Sequence, residues 1–367
     1  VSPHDSKRIY YAAEKLFRSD DRGESWVAVS PDLTRMIDRN ALEVMGTVWS
    51  VDAVAKNRST SFYGNIVSLA ESPLDENRLY AGSGDGLLHV THDGGGTWRK
   101  ASLPGLPEFA RIHHIVASPH DVDVAYAACH NFFAGDFGPY LYKTTDGGTT
   151  WTQVLEISDD TGANEVWLDP RDPDVIYAVR HQRFRNVAVL MDGGPGTGIH
   201  KSVDGGETWR ELSKGLPEGM MGKTGLAISP QDPDTIYATI ELDNRTGGFW
   251  RSDDGGETWE KKNDYLSGGT GPHYYQEIFA SPHFEGHVYQ MDALMRMTKD
   301  GGDTFIPLPH ETKHGDHHAL AFRDDDPNYL LWQGSGEAGV LRRFSPELEG
   351  EAGLAYTYAA VEDDLGA

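Results

Sequence analysis

The sequence predicts an all-β chain made of seven copies of one small four-stranded antiparallel unit, set in a ring. Three observations predict it. A nine-residue phrase occurs six times, a second phrase precedes each occurrence, and short alternating apolar runs fill the intervals. Glycine (42) and proline (19) make up about a sixth of the 367 residues, a turn-rich composition that agrees with this reading.

The first phrase reads Lys201-Ser-Val-Asp-Gly-Gly-Glu-Thr-Trp209 in one copy and Arg251-Ser-Asp-Asp-Gly-Gly-Glu-Thr-Trp259 in the next. Other copies end at Trp26, Trp98 and Trp151, and a sixth ends at Phe305. In each, the aspartate is placed to accept bonds from nearby amides, the glycines supply positive φ, and Ser/Thr hydroxyls tie the turn down. The aromatic is expected to tuck between sheets, where burying about 150–250 Å² of ring is worth roughly 4–6 kcal/mol before ordering costs. The second phrase is a Ser-Pro or Asp-Pro followed by an apolar-Tyr pair, as in Ser2-Pro3 with Ile9-Tyr10 and Ser72-Pro73 with Leu79-Tyr80. A seventh unit, without a box, starts near Ala321 and carries Asp326-Pro327 with Tyr329-Leu330.

The units are expected at 1–30, 61–105, 111–157, 162–217, 222–264, 273–310 and 314–361, forming one domain with an insertion at 31–60. The first unit starts with its second strand, and Leu354–Val361 reads as a strand without a box before it. That tail is expected in the first or last unit, closing the ring; the alternative is an unclosed piece of a longer chain.

The repeated phrase resembles the Asp-box, or bacterial neuraminidase repeat, found in sialidases, sortilin-type receptors, xyloglucan-cleaving glycosidases and a photosystem-assembly propeller. The resemblance covers nearly the whole chain and is closest to bacterial sialidase-like and sortilin-like glycosyl hydrolases. It implies a seven-bladed β-propeller and a secreted or periplasmic location, while leaving activity open. The sialidase signature Phe-Arg-Ile-Pro is missing, because Phe17-Arg18-Ser19 belongs to a box, so true sialidase activity is not expected.

Composition excludes several classes of function. Thirty-two basic against 57 acidic side chains give a net charge of −25, which repels nucleic-acid backbones. No apolar run is long enough for a membrane-spanning helix. One cysteine, Cys129, forbids an intrachain disulfide and a thiolate zinc cluster. Val1 follows no signal peptide, so a targeting segment is expected to be absent or already removed. No cofactor is required by any motif, and Gly193–Gly198 lacks the strand-to-helix setting of a phosphate or dinucleotide loop.

Long insertions at 31–60, 130–140, 180–198 and 265–272 fall on the face opposite the boxes, where a binding surface is expected. Residues entering the innermost strands should surround the channel mouth on that face. They include Tyr63 and Asn65, Arg111, His113 and His114, Asn164 and Glu165, and Lys223. Later units add His273, Tyr274, Tyr275, Gln276 and Glu277, then His314, Asp316, His317 and His318. A purely structural ring would favour Val, Ile and Ala at these positions.

Glu165 and Glu277 enter different units and form a candidate acid–base pair for glycoside hydrolysis. Tyr274 beside Glu277 resembles the tyrosine–glutamate pair of sialidases. Arg111, His113, His114, Asn164, Arg183, Lys223, His273, Tyr275 and His317 are candidate ligand contacts, with Arg111 and Arg183 suited to an anionic group. His314, Asp316 and His318 alternate along a strand and could hold a divalent metal; the alternative is a hydrogen-bonded polar lining. The ligand expected is a glycan or another polar or anionic molecule. The rival reading is a non-catalytic scaffold that binds a protein through the loop-bearing face. A third is a metal-dependent enzyme using the His/Asp cluster.

Overall fold

The computed structural model describes residues 1–57, 64–131, 136–155, 158, 161–185, 188–242, 246–267, 276–308, 317–323, 326–334, 340–344 and 358–360. Sheet 1 has three strands, Ile9–Ala12, Leu16–Ser19 and Val27–Ala28. Six four-stranded antiparallel sheets follow in chain order. Their first strands are Ile66–Ser72, Arg111–Ala117, Gly162–Leu168, Thr224–Ile228, Ile278–Ala280 and His317–Arg323, in sheets 2 to 7. In each sheet the strands pair in sequence order, so the first strand forms one edge. Within 180–198, read from the sequence as loop, Phe184–Arg185 pairs with Leu190–Met191 and Gly193–Gly194 pairs with Met221–Gly222. No α-helix occurs among the described residues, and no helix there is long and apolar enough to cross a membrane.

The boxes join the last two strands of their sheets and fold as their composition dictates. Thr208 gives its backbone N–H to Asp204 Oδ1 at 2.8 Å and its hydroxyl to Oδ2. Ser202 donates to the same aspartate at 2.7 Å and accepts from Gly206 N at 2.8 Å. The same set recurs around Asp21, Asp93, Asp146, Asp254 and Asp300. Gly205 and Gly206 hold φ of +71° and +93°, a region that a Cβ would strain. Two box tryptophans tie neighbouring sheets together: Trp98 donates to Val29 O and Trp209 to Val154 O, each at 2.9 Å. Phe305, which has no N–H, packs instead on Phe249 with centroids 5.1 Å apart.

Each box aspartate is held below its ordinary value of 3.8. Asp21, Asp93, Asp146 and Asp204 sit at about 2, first through the bonds from the Ser or Thr four residues on. A carboxylate whose folded value lies below its unfolded one stabilises fully above about pH 4 and loses that contribution as pH falls through 2. Melting temperature is therefore expected to drop between about pH 4 and pH 2, and less steeply in Asp93→Asn. Parallel profiles for the two proteins would show that the boxes do not govern acid stability.

The second phrase fixes the succession of sheets. His4 Nε2 bonds Ser72 O at 2.8 Å, His120 Nε2 bonds Asp169 O at 2.9 Å, and Gln231 Nε2 donates to Ser281 O at 2.9 Å. Each bond runs from one phrase to the next. The paired tyrosines Tyr80, Tyr126, Tyr177, Tyr237 and Tyr289 are fully buried. Two of them reach the following box, Tyr126 OH to Gly205 O at 3.1 Å and Tyr177 OH to Gly255 O at 2.9 Å.

Apolar clusters lie between every consecutive pair of sheets. Leu16 packs with Ile66, Val90 with Ile112, Ala128 with Val166, Val179 with Leu226, Ala227 with Ile278, and Tyr289 with Leu320. In a separate cluster, Ala321 of sheet 7 packs against Ile9 of sheet 1 beside Trp26. The terminal strand Tyr358–Ala360 pairs with Val340–Phe344, so the tail belongs to the last sheet. Among the described residues it pairs with no strand of sheet 1, and the expectation of closure by this strand is corrected. The unpaired edge nearest in sequence is that of its own sheet, and the tail fills it.

Candidate functional site

The site begins with a backbone irregularity repeated on the first strands. In sheet 3 the register steps from Ile112↔Cys129 to His114↔Ala128, leaving His113 as an extra residue. In sheet 4 it steps from Ala163↔Arg180 to Glu165↔Val179, leaving Asn164. Sheets 2 and 7 do the same at Val67 and His318. A bulge of this kind bends the strand and re-aims the local side chains. The first strands of sheets 2 to 6 also lie against one another in order, so residues at the bulges of neighbouring sheets come close.

Glu165 is buried at 8% exposure. Its Oε2 accepts from Trp167 Nε1 at 3.0 Å within the strand and from Leu226 N of sheet 5 at 3.1 Å. Burial pushes its pKa up to about 7; the Trp167 bond opposes the rise and the Glu277 charge adds to it. The side chain is thus a carboxylic acid that holds its proton near neutrality. Both of these bonds converge on Oε2, which leaves Oε1 as the atom suited to carry that proton. Glu277 stands before the first strand of sheet 6, and its Oε1 accepts from Lys223 Nζ at 2.6 Å across sheets 5 and 6. Lys223 also acts on Glu165 in the opposite sense to Glu277. Two carboxyl groups from different sheets therefore share one electrostatic field, with an ammonium beside one of them.

Arg111 starts the first strand of sheet 3 and pairs in register with His130. Burial pulls its guanidinium below the ordinary value, and Glu277 opposes this. The His113 and His130 rings lie 5.1 Å apart. Burial is the first cause that holds both imidazoles well below their ordinary value, and the cations Arg111 and Lys223 add to it. Both are neutral at physiological pH. A cleft between sheets 3 and 4 is lined by His130, Asp136, Asn164, His181 and Arg183, among others.

Other predicted contacts lie elsewhere. His114 faces the seam between sheets 3 and 4, where its Nδ1 accepts from Val166 N at 3.3 Å and burial takes its pKa down to about 4. His317 is buried and its backbone N–H donates to Asp292 O at 3.0 Å. Arg183 pairs with Asp192 at 3.4 Å, and His181 Nε2 bonds the Asp192 carbonyl at 2.9 Å. Arg183 is thus paired within its own loop. Tyr140 donates to Asp136 and Trp49 to Val44 O, so each serves its own loop. Tyr63, His273, Tyr274, Tyr275, His314 and Asp316 lie outside the described residues, as does the side chain of His318. Among the described residues no three His, Cys, Asp or Glu side chains gather to hold a metal ion.

Sequence reasoning missed His130 and the buried partners of Gln276, Thr239 and Gln290. Gln276 Oε1 accepts from Thr239 Oγ1 at 3.0 Å, and Gln290 Nε2 donates to the same hydroxyl at 3.1 Å. His130 ends a second strand, where no repeat position marks it; only its register with Arg111 reveals it.

The family model described as BNR/Asp-box repeat matches residues 250–261. By fold, the chain is similar to the propeller of Dos1, with a TM-score of 0.54 at 13% identity, covering 78% of this chain and 69% of that one. The chain is an Asp-box β-propeller. This propeller also resembles the GH74 xyloglucanase of Xanthomonas campestris, with a TM-score of 0.67 at 16% identity, over 97% of this chain and 53% of that one. In sequence it is similar to the xyloglucanase Xgh74A of Acetivibrio thermocellus, 30% identical over 230 residues, which is 58% of this chain. It spans about a quarter of that relative's length, 24%. Both relatives are glycoside hydrolases by name; neither similarity points to a sialidase.

Proposed function

We propose that this chain is a single seven-bladed propeller whose ring closes through packing of sheet 7 on sheet 1. On this reading it is a glycoside hydrolase that acts on a glycan at the entrances of its first strands. The cluster of Ala321 with Ile9 supports the closure. The observation that carries the activity is the buried Glu165 beside the Lys223–Glu277 pair.

Glu165 is the general acid. Its proton passes from Oε1 to the glycosidic oxygen as the bond from that oxygen to the anomeric carbon breaks. Glu277 is the base: it takes a proton from a water whose oxygen bonds the anomeric carbon, with inversion at that carbon. Lys223 keeps the base ionised and positioned. Arg111, His113, Asn164 and Arg183 contact the ligand from sheets 3 and 4. On sequence grounds, His273, Tyr274, Tyr275 and His317 extend that surface, and His314, Asp316 and His318 line it further. The similarity to xyloglucanases supports a polysaccharide substrate and an extracellular place of action.

The test is a turnover screen that begins with xyloglucan oligosaccharides and extends to other plant and microbial glycans. For any substrate cleaved, kcat/KM is expected to fall as pH rises through about 7, where Glu165 loses its proton. NMR of the fresh product should show the inverted anomer. A rate that climbs steadily across that pH range would remove Glu165 from the acid role.

A further inference from the structure

The residue after the bulge makes the same kind of bond in three consecutive sheets. Ser68 Oγ of sheet 2 donates to Ile112 O of sheet 3 at 2.7 Å. His114 Nδ1 of sheet 3 accepts from Val166 N of sheet 4 at 3.3 Å. Glu165 Oε2 of sheet 4 accepts from Leu226 N of sheet 5 at 3.1 Å. Each of these side chains follows a register step in its own strand and ties that strand to the next sheet. A hydroxyl, an imidazole and a carboxyl group all serve, so the seam itself does not call for a carboxyl.

The residue two places further on shares the strand face of the seam residue. It is Ala70 in sheet 2, Val116 in sheet 3 and Trp167 in sheet 4. Alanine and valine bring no side-chain donor. The indole does, and its Nε1 reaches Glu165 Oε2 at 3.0 Å. This second bond is specific to the sheet that carries the carboxyl, and the seam does not account for it. Trp167 packs against the apolar cluster between sheets 4 and 5, which holds the ring and aims its N–H. Indole and backbone N–H groups only donate, so the oxygen they share is the one favoured to stay unprotonated. The charges that act on Glu165 are Glu277 and Lys223. The His114 ring, 6.1 Å from that of Trp167, is neutral near pH 7 because burial takes its pKa down to about 4.

We propose that Trp167 is a positioning residue for Glu165: its N–H fixes the carboxyl group so that one oxygen serves the seam and the other serves the reaction. The proposal rests on the hydrolase reading above and adds a residue that acts through the acid.

The experiment follows the Glu165 carboxyl by carbon-13 NMR across its titration, with Glu165→Gln to assign the signal. Trp167→Phe keeps an aromatic ring and removes the N–H. A bond that favours the ionised form is lost, so the midpoint is expected to rise by about one pH unit. Trp209→Phe removes another indole bond between sheets, that to Val154 O, and should leave the midpoint in place. For any glycan cleaved, the alkaline limb of kcat/KM should move up with the midpoint. At about pH 6, where Glu165 is protonated in both proteins, kcat should fall roughly tenfold with KM unchanged. In the wild type the Trp167 indole proton should shift with the same midpoint as the carboxyl, a test that needs no variant. An indole proton blind to that titration overturns the proposal, as does an unmoved midpoint in folded Trp167→Phe or an equal rise in Trp209→Phe. A raised midpoint with no turnover of any glycan keeps Trp167 as the anchor of this carboxyl and removes the hydrolase reading. Turnover with an unmoved midpoint does the reverse.

Discussion

Replacing Glu165 with glutamine is expected to abolish turnover while making the protein more stable above neutral pH. The first effect follows from the loss of a general acid, a contribution of roughly 10²- to 10⁴-fold. The second follows from the same burial. The folded pKa of about 7 lies above the ordinary 4.5. Its contribution is therefore fully favourable below about pH 4.5 and is lost as pH rises through 7. At about pH 8 the ionised side chain costs on the order of 3 kcal/mol relative to an unperturbed carboxyl. Glutamine carries no charge, and its amide oxygen still accepts from Trp167 Nε1 and Leu226 N. Chemical denaturation at about pH 5 and pH 8 measures this directly. The advantage of the variant should be small at the lower value and grow to a few kcal/mol at the higher. Equal curves at both would mean that Glu165 is more hydrated than its burial indicates, and would weaken its assignment as the acid.

The second large effect is expected at Gly225→Ala. A Cβ there would stand 1.6 Å from the carbonyl oxygen of Gln276 and 2.7 Å from its carbonyl carbon. Both are backbone atoms, which cannot rotate away. Gln276 is itself held at φ +97°, fully buried, by bonds to Thr239 and Glu241. Sheets 5 and 6 must therefore separate, and overpacking of this kind costs about 3 kcal/mol or more. The same shift carries Glu277, the next residue, away from Lys223, so activity should fall with stability. Gly105→Ala is the control. Its φ is +77° but no atom lies within 4 Å of the added carbon, so it pays only the backbone penalty of about 1 kcal/mol. Comparable losses at the two positions would show that sheet contact at Gly225 is looser than described.

Much of the fold is legible because its determinants are local. Each box closes on itself within a few residues, so Asp, Gly-Gly and Thr at fixed offsets declare a turn wherever they occur. The Ser-Pro phrase and its tyrosine are likewise periodic, and the partners they reach lie in the next copy. The small strands within 180–198 were not legible, since Gly193-Gly194 and Phe184-Arg185 carry no alternating pattern. The tail was legible as a strand of the first or last unit, but not which of the two receives it, because the sequence marks a strand and not its edge.

The site divides along the same line. The sequence by itself determined that polar and charged residues, Arg111, His113, Asn164, Glu165, Lys223 and Glu277 among them, stand where apolar ones would otherwise start the first strands. It could do so because position within a repeat is a one-dimensional property. Only the tertiary structure decided which of them act on one another. The bulges at His113 and Asn164, the salt bridge from Lys223 to Glu277, and the turning of His114 into the seam between sheets all depend on register and on the approach of separate sheets. The raised pKa of Glu165 is of the same kind, since burial and the field of a distant carboxylate are properties of packing.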